Sequence, residues 1–218
     1  MGGYLVYITQ LYFTVHPDTT GRPCINEGES VEIFISVSGT KLNLYWQESN
    51  DGGISWYSIF DGGTSPQYAG TENDTLILTN IPVSHHNYRY RCYIDNTCGQ
   101  AITDNSLICI LPETPSTNSC SNITTSSFTA SWTSTPTADY YTLYVDDDSD
   151  FSSPLSNYNG IQIEDNETVI DGLYSATSYY YYVKAVNSCG VSANSNTGSC
   201  TTACGGTFID SRDSHEYG

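Results

Sequence analysis

The sequence predicts an all-β chain built as two tandem antiparallel β-sandwiches, and three observations predict it. Short runs rich in β-branched and aromatic residues recur over 4–15, 31–37, 42–47, 75–78, 88–94 and 101–110, then over 127–132, 140–145, 168–170 and 179–186. Such runs are strand formers. Turn signals separate them: Asn50-Asp51-Gly52-Gly53, Asp61-Gly62-Gly63, Asp171-Gly172 and Cys189-Gly190. No stretch carries a sustained i, i+3, i+4, i+7 apolar face with a cap, so α-helix is expected to be near absent.

A length of 218 residues suits two small domains. The segment Leu111-Pro112-Glu113-Thr114-Pro115-Ser116 divides them, because its prolines fix the backbone and donate nothing to a sheet. The expected organisation is an extra strand over 1–9, a first sandwich over 10–110, a linker over 111–118, a second sandwich over 119–199 and a tail over 200–218.

The elements follow in order. Between Met1 and Val15 there is no charged side chain. A first strand needs about five residues, which 11–15 supply. Tyr4, Leu5, Val6, Tyr7, Ile8 and Thr9 are then surplus strand formers, a hazard if left exposed. They are expected to add along a sheet edge, either on their own first domain or domain junction, or on the next copy to make a head-to-tail fibre. Near the other end, alternation over 179–186 puts Tyr179, Tyr181, Val183 and Ala185 on one face.

The first half carries Ile33-Phe34-Ile35-Ser36-Val37, then Tyr45-Trp46-Gln47-Glu48-Ser49 with Asp51-Gly52-Gly53 and Trp56. Tyr68 and Gly70, Leu76 and Leu78, and Tyr88 with Tyr90-Arg91-Cys92 follow, then Cys98-Gly99. It resembles the immunoglobulin-like repeats of Bacteroidetes surface proteins, which implies Trp46 as the strand-C core residue and Tyr90 as a corner tyrosine. The second half has Ser127-Phe128-Thr129-Ala130-Ser131-Trp132, then Gly172-Leu173, Thr177, Tyr179, Val183 and Ala185. It resembles a fibronectin type III domain, with Ser175 where that corner usually has proline. The end, from Cys204-Gly205-Gly206-Thr207-Phe208 to Tyr217, is similar to the opening of the Fibrobacter succinogenes major paralogous domain, with Ser214 in place of glycine.

Eight cysteines in a small acidic chain point to disulfides and an oxidising, extracellular or cell-surface setting. No Cys-x-x-Cys knuckle argues for zinc. The strand assignments of the resemblance pair Cys24 with Cys109, and Cys120 with Cys189. Cys92 and Cys98 flank a hairpin, and Cys200 is left with Cys204. Met1-Gly2-Gly3 and the run after it lack the build of a secretory leader, which reads as a mature form or an excised piece.

The formal charge is 6 − 24 = −18, with only 14% charged residues. That disfavours nucleic acid and anionic lipid as partners, and no run is long enough to span a membrane as a helix. The common catalytic strings are absent, paired carboxylates such as Glu164 and Asp165 carry no spacing argument, and no cofactor is expected. Asp146, Asp147, Asp148 and Asp150 are a calcium candidate, set against a solvated turn. His85 and His86 read as an exposed corner, since adjacent side chains on an extended chain diverge. Trp56, with Tyr57, is the candidate for stacking on a glycan, set against a ring that covers its own sheet. The chain therefore reads first as a non-catalytic structural or adhesive module of a bacterial surface protein. The alternatives are a subunit of an extracellular filament joined by strand addition, and a carbohydrate-binding accessory. Partners are a protein or glycan at the cell surface, or copies of itself.

Overall fold

A computed structural model describes residues 7–13, 24–39, 41–97 and 99–206, with the backbone alone for 7–13 and 38. It shows two tandem antiparallel β-sandwiches. Unit 1 holds Met1–Glu113 with Thr135–Asp139 and Val186–Ser192; unit 2 holds Thr114–Ser134, Tyr140–Ala185 and Ala193–Gly218. Among the described residues the only helical turns are single 3-10 turns at Val83–His85 and Ser156–Tyr158.

The strands of unit 1 begin with β1 (Tyr7–Phe13), β2 (Cys24–Ile25), β3 (Val31–Ser38), β4 (Asn43–Ser49), β5 (Tyr57–Ser58) and β6 (Gly62–Gly63). They continue with β7 (Gln67–Ala69), β8 (Thr75–Thr79), β9 (Arg89–Asn96), β10 (Gly99–Ile102), β11 (Ser106–Leu107) and β12 (Cys109–Ile110). One sheet runs β1-β3-β8-β7-β6 and the other β10-β9-β4-β5, with β11 also on β9 and a parallel pair β2–β12. Period-two alternation turns Ile33, Ile35, Trp46, Leu76, Leu78, Tyr90, Cys92 and Ile94 into one buried cluster. Trp46 is fully buried, and its indole N–H donates to the Asn73 carbonyl at 2.9 Å. An indole so placed contributes about 3–5 kcal/mol relative to alanine.

Within the described residues Tyr7–Phe13 is a single strand that runs across the expected boundary between 9 and 10. β1 pairs antiparallel with β3, matching Tyr7 to Ser38 and Ile8 to Val37, and after an irregularity Gln10 to Ser36 through Phe13 to Ile33. Tyr7 and Ile8 thus bond to their own sheet; Tyr4, Leu5 and Val6 lie outside the described residues. Tyr90 is not a corner tyrosine: its buried hydroxyl has no hydrogen-bond partner among the described residues. It is the second residue of β9 and faces into the core, its ring 6.5 Å from that of Tyr68 and tilted to it.

Unit 2 packs β13 (Phe128–Ser131) against β16 (Glu167–Ile170). Its larger sheet joins β15 (Asn159–Ile163), β14 (Tyr140–Asp146) and β17 (Ser178–Asn187), with β19 (Gly198–Thr201) also on β17. β17 buries Tyr179, Tyr181, Val183 and Ala185, the face its alternation predicts. Trp132 is fully buried and meets Tyr141 edge-on at 5.5 Å. Gly198 is required where it stands, since a Cβ there would run into the buried Tyr181 ring. Here the corner tyrosine is real: the Tyr179 hydroxyl accepts the Tyr174 N–H at 3.0 Å. Residues 116–118 hydrogen-bond beside β13, with Asn118 N–H donating to the Ser131 carbonyl at 2.9 Å, so they act as sheet rather than spacer.

The disulfides depart from the expected pairing. Cys109 bonds Cys189 with Cα atoms 5.6 Å apart, and Cys120 bonds Cys200 at 6.0 Å. Cys24 does lie directly opposite Cys109 in the β2–β12 ladder. Ladder neighbours project side by side, however, and a disulfide needs its Cβ atoms aimed at each other. The Cys24 thiol instead donates to the Cys189 carbonyl at 3.2 Å. Cys189 stands in the hairpin between β17 and β18 (Gly190–Val191), and that hairpin belongs to unit 1. Asn187 locks it, donating to the carbonyls of Ile110 at 2.9 Å and Thr137 at 3.0 Å while accepting the Cys189 N–H at 2.8 Å. With Cys200 bonded to Cys120, Cys204 stays an exposed thiol. Cys92 is a buried thiol, and Cys98 lies outside the described residues.

Candidate functional site

The outward face of the β10-β9-β4-β5 sheet gathers side chains that a solvated sheet does not need. Since Tyr90, Cys92 and Ile94 point inward, the other parity of β9 presents Arg89, Arg91, Tyr93 and Asp95. Register sets Gln47 of β4 opposite Arg91, Tyr45 opposite Tyr93 and Asn43 opposite Asp95, while Ile102 of β10 lies beside Tyr93. The Tyr45 and Tyr93 rings are 6.3 Å apart, and the Tyr93 hydroxyl donates to Gln100 Oε1 at 2.6 Å. Tyr45 and Ile102 are exposed.

Trp56 is brought onto this face by the turn before β5. Ser49 Oγ donates to Asp51 Oδ1 at 2.7 Å, and the backbone N–H groups of Ile54 and Ser55 both donate to Asp51 at 2.9 Å. Those bonds, the Ser55 N–H foremost and then the Ser49 hydroxyl, lower the Asp51 carboxyl to about 2. Gly53, at φ +96°, closes the turn. Its carbonyl accepts the Trp56 indole N–H at 2.9 Å, and a Cβ at 53 would lie 3.4 Å from the indole.

Arg91 then lies over the ring, its guanidinium carbon 4.1 Å from the indole centroid, with Nε donating to Gln47 Oε1 at 2.8 Å. Burial lowers the pKa of that guanidinium from its ordinary value. Arg89 donates to Asn105 Oδ1 at 2.7 Å. The result is a half-buried Trp–Arg stack flanked by a second arginine and a tyrosine pair. Trp, Tyr and Arg are the residue types that carry most binding energy in protein interfaces. Ile54, Tyr57 and Phe60, all well exposed, extend the apolar surface beside the β5 edge.

The other sequence-derived candidates fall elsewhere. Trp56 joins the face, with Arg91 over one side of its ring and its N–H bonded to the Gly53 carbonyl. Tyr57 is exposed next to it. Asp146 is buried and closes its own turn, accepting the N–H of Asp148 at 3.2 Å and of Ser153 at 3.1 Å. Among the described residues no three His, Cys, Asp or Glu side chains come together to hold a metal ion. His85 and His86 are half-buried rather than an exposed corner, because the chain turns there in a 3-10 bend. His85 stacks on Tyr88 at 4.1 Å, and His86 Nδ1 accepts the Ile110 N–H at 3.1 Å. Burial lowers both imidazole pKa values. Glu164 and Asp165 are exposed. The sequence reading passed over Arg89, Arg91, Tyr45 and Tyr93, although their parity opposite the core residues of β4 and β9 was the available signal.

Residues 113–201 match the family model of the fibronectin type III domain. A two-domain fibronectin type III segment from chicken tenascin resembles most of the chain in fold. Its TM-score is 0.51 at 14% identity, over 89% of this chain and 99% of that one. The N-terminal four immunoglobulin domains of Dscam1 isoform 6.9 give a TM-score of 0.53 at 12% identity, over 89% of this chain and 46% of that one. At such identities the likeness is of fold alone. No curated protein matches the chain. Among the described residues no helix is long and apolar enough to cross a membrane.

Proposed function

We propose that this chain is a non-catalytic extracellular module, a structural or adhesive segment of a bacterial surface protein, whose first sandwich carries a partner-binding face. The observation behind it is the Trp56–Arg91 stack, set on a rigid sheet among exposed Tyr45, Ile102 and Tyr57. The fibronectin type III match, the two disulfides and the net charge of −18 support an outside location. The resemblance of the first half to Bacteroidetes surface repeats supports the bacterial setting. Strand addition and sugar stacking draw less support: β1 bonds along its own sheet, and Arg91 covers one side of Trp56.

The test is location together with redox state. Protease treatment of intact source cells should remove the protein. Non-reducing peptide mapping of protein taken from those cells should find Cys109–Cys189 and Cys120–Cys200. Protection from the protease together with fully reduced cysteines would overturn the proposal.

A further inference from the structure

The arginine pair on the first sandwich lacks counter-charge. Arg89 and Arg91 are two of only six basic residues in the chain, and they stand two residues apart on the same side of β9. Among the described residues neither guanidinium meets a carboxylate; their hydrogen bonds go to the neutral amides of Asn105 and Gln47. Each fork has five donors, so most of the capacity to bind an anion is unused. Two acids stand nearby and are engaged: Asp95, four residues along β9 from Arg91, accepts from Asn43 at 2.7 Å, and Asp51 accepts the Ser49 hydroxyl and the Ile54 and Ser55 N–H groups in its own turn.

The chain itself supplies the complement. Asp147, Asp148 and Asp150 are exposed on the turn after β14. That turn is braced. Buried Asp146 accepts two backbone N–H groups across it, Asp150 accepts the Ser152 N–H at 3.0 Å, and Phe151 packs edge-on against Tyr182 at 4.7 Å. Three carboxylates on a preorganised turn match two guanidiniums on a preorganised sheet, so little ordering cost falls on binding.

We propose that the Arg89–Arg91–Trp56 face is the docking site for the 147–150 turn of a second copy of this chain. It rests on the face being a partner surface, as argued above. The two surfaces differ, so the contact is heterologous: each added copy leaves one face and one turn vacant, and copies add head to tail. Copies of charge −18 repel at long range, but ~0.15 M salt screens that repulsion beyond about 8 Å and leaves the close pairs intact. At ~1 M salt the screening length falls to about 3 Å and the contact is lost.

Sedimentation of the full chain over a concentration series tests this. At ~0.15 M salt the average mass should rise with concentration, and at ~1 M salt it should return to the monomer. Arg91→Glu and Asp148→Lys should each weaken association by about tenfold or more, and mixing the two variants should restore it. A chain that stays monomeric in all conditions overturns the proposal, as does association that neither substitution weakens. Either failure leaves the surface-module reading intact, because that reading falls only to protease protection and reduced cysteines.

Discussion

Removing either half of the Trp56–Arg91 stack should show that the two residues are energetically coupled. The guanidinium lies 4.1 Å from the indole centroid, half-buried, and Arg91 also donates to Gln47. Exposed cation–π pairs contribute about 0.5–1 kcal/mol and desolvated ones about 2, so this pair should couple by about 1 kcal/mol. Arg91→Ala loses that coupling and one hydrogen bond of about 1 kcal/mol net, giving about 2 kcal/mol in all. Urea unfolding of the parent, Arg91→Ala, Trp56→Ala and the double variant closes the cycle. Arg91→Lys is the sharper control. It keeps the charge but loses the planar group and the Nε donor, so it should retain less than half of the coupling. A cycle energy below about 0.3 kcal/mol, within the error of additivity, would show that the two side chains are merely adjacent.

Further outcomes are expected. Gly53→Ala should cost about 1–2 kcal/mol from its positive φ and should also shift the Trp56 emission, whereas Gly52→Ala, with open space around it, should cost similar stability without the spectral change. The Asp51 carboxyl is depressed to about 2, so its contribution is complete above the ordinary carboxylate value and is lost as pH falls from about 4 to about 2; carboxyl chemical shifts across that window check this. Both disulfides among the described residues span 80 residues, so Cys109→Ser or Cys120→Ser should each lose about 4.5 kcal/mol on the chain-entropy model, read as a lower Tm of the affected unit. Burial pushes the Cys92 thiol up to about 12, so iodoacetamide at pH 8 should modify exposed Cys204 in the native protein and reach Cys92 only after unfolding.

The two sandwiches were legible because strand-forming runs, turn signals and a proline break are local and repeat along the chain. The inward faces of β9 and β17 follow from period-two alternation once either core tryptophan is placed, and β17 reads as buried at Tyr179, Tyr181, Val183 and Ala185. The Trp56–Arg91 face was half legible. Trp56 stood out beside its glycine turn, while nothing local singles out Arg89 and Arg91 until the β4–β9 register sets Gln47 against Arg91. What tertiary structure alone decided is whatever depends on where distant segments meet. Composition could count eight cysteines, but only the fold aims Cys189 at Cys109 across 80 residues while Cys24 lies alongside. Tyr90 shows the same limit, since its spacing before Cys92 suited a corner but, among the described residues, its buried hydroxyl makes no bond back to the backbone. Alternation and turn chemistry act between neighbours in sequence, whereas disulfide choice, stacking and the satisfaction of buried hydroxyls act between neighbours in space.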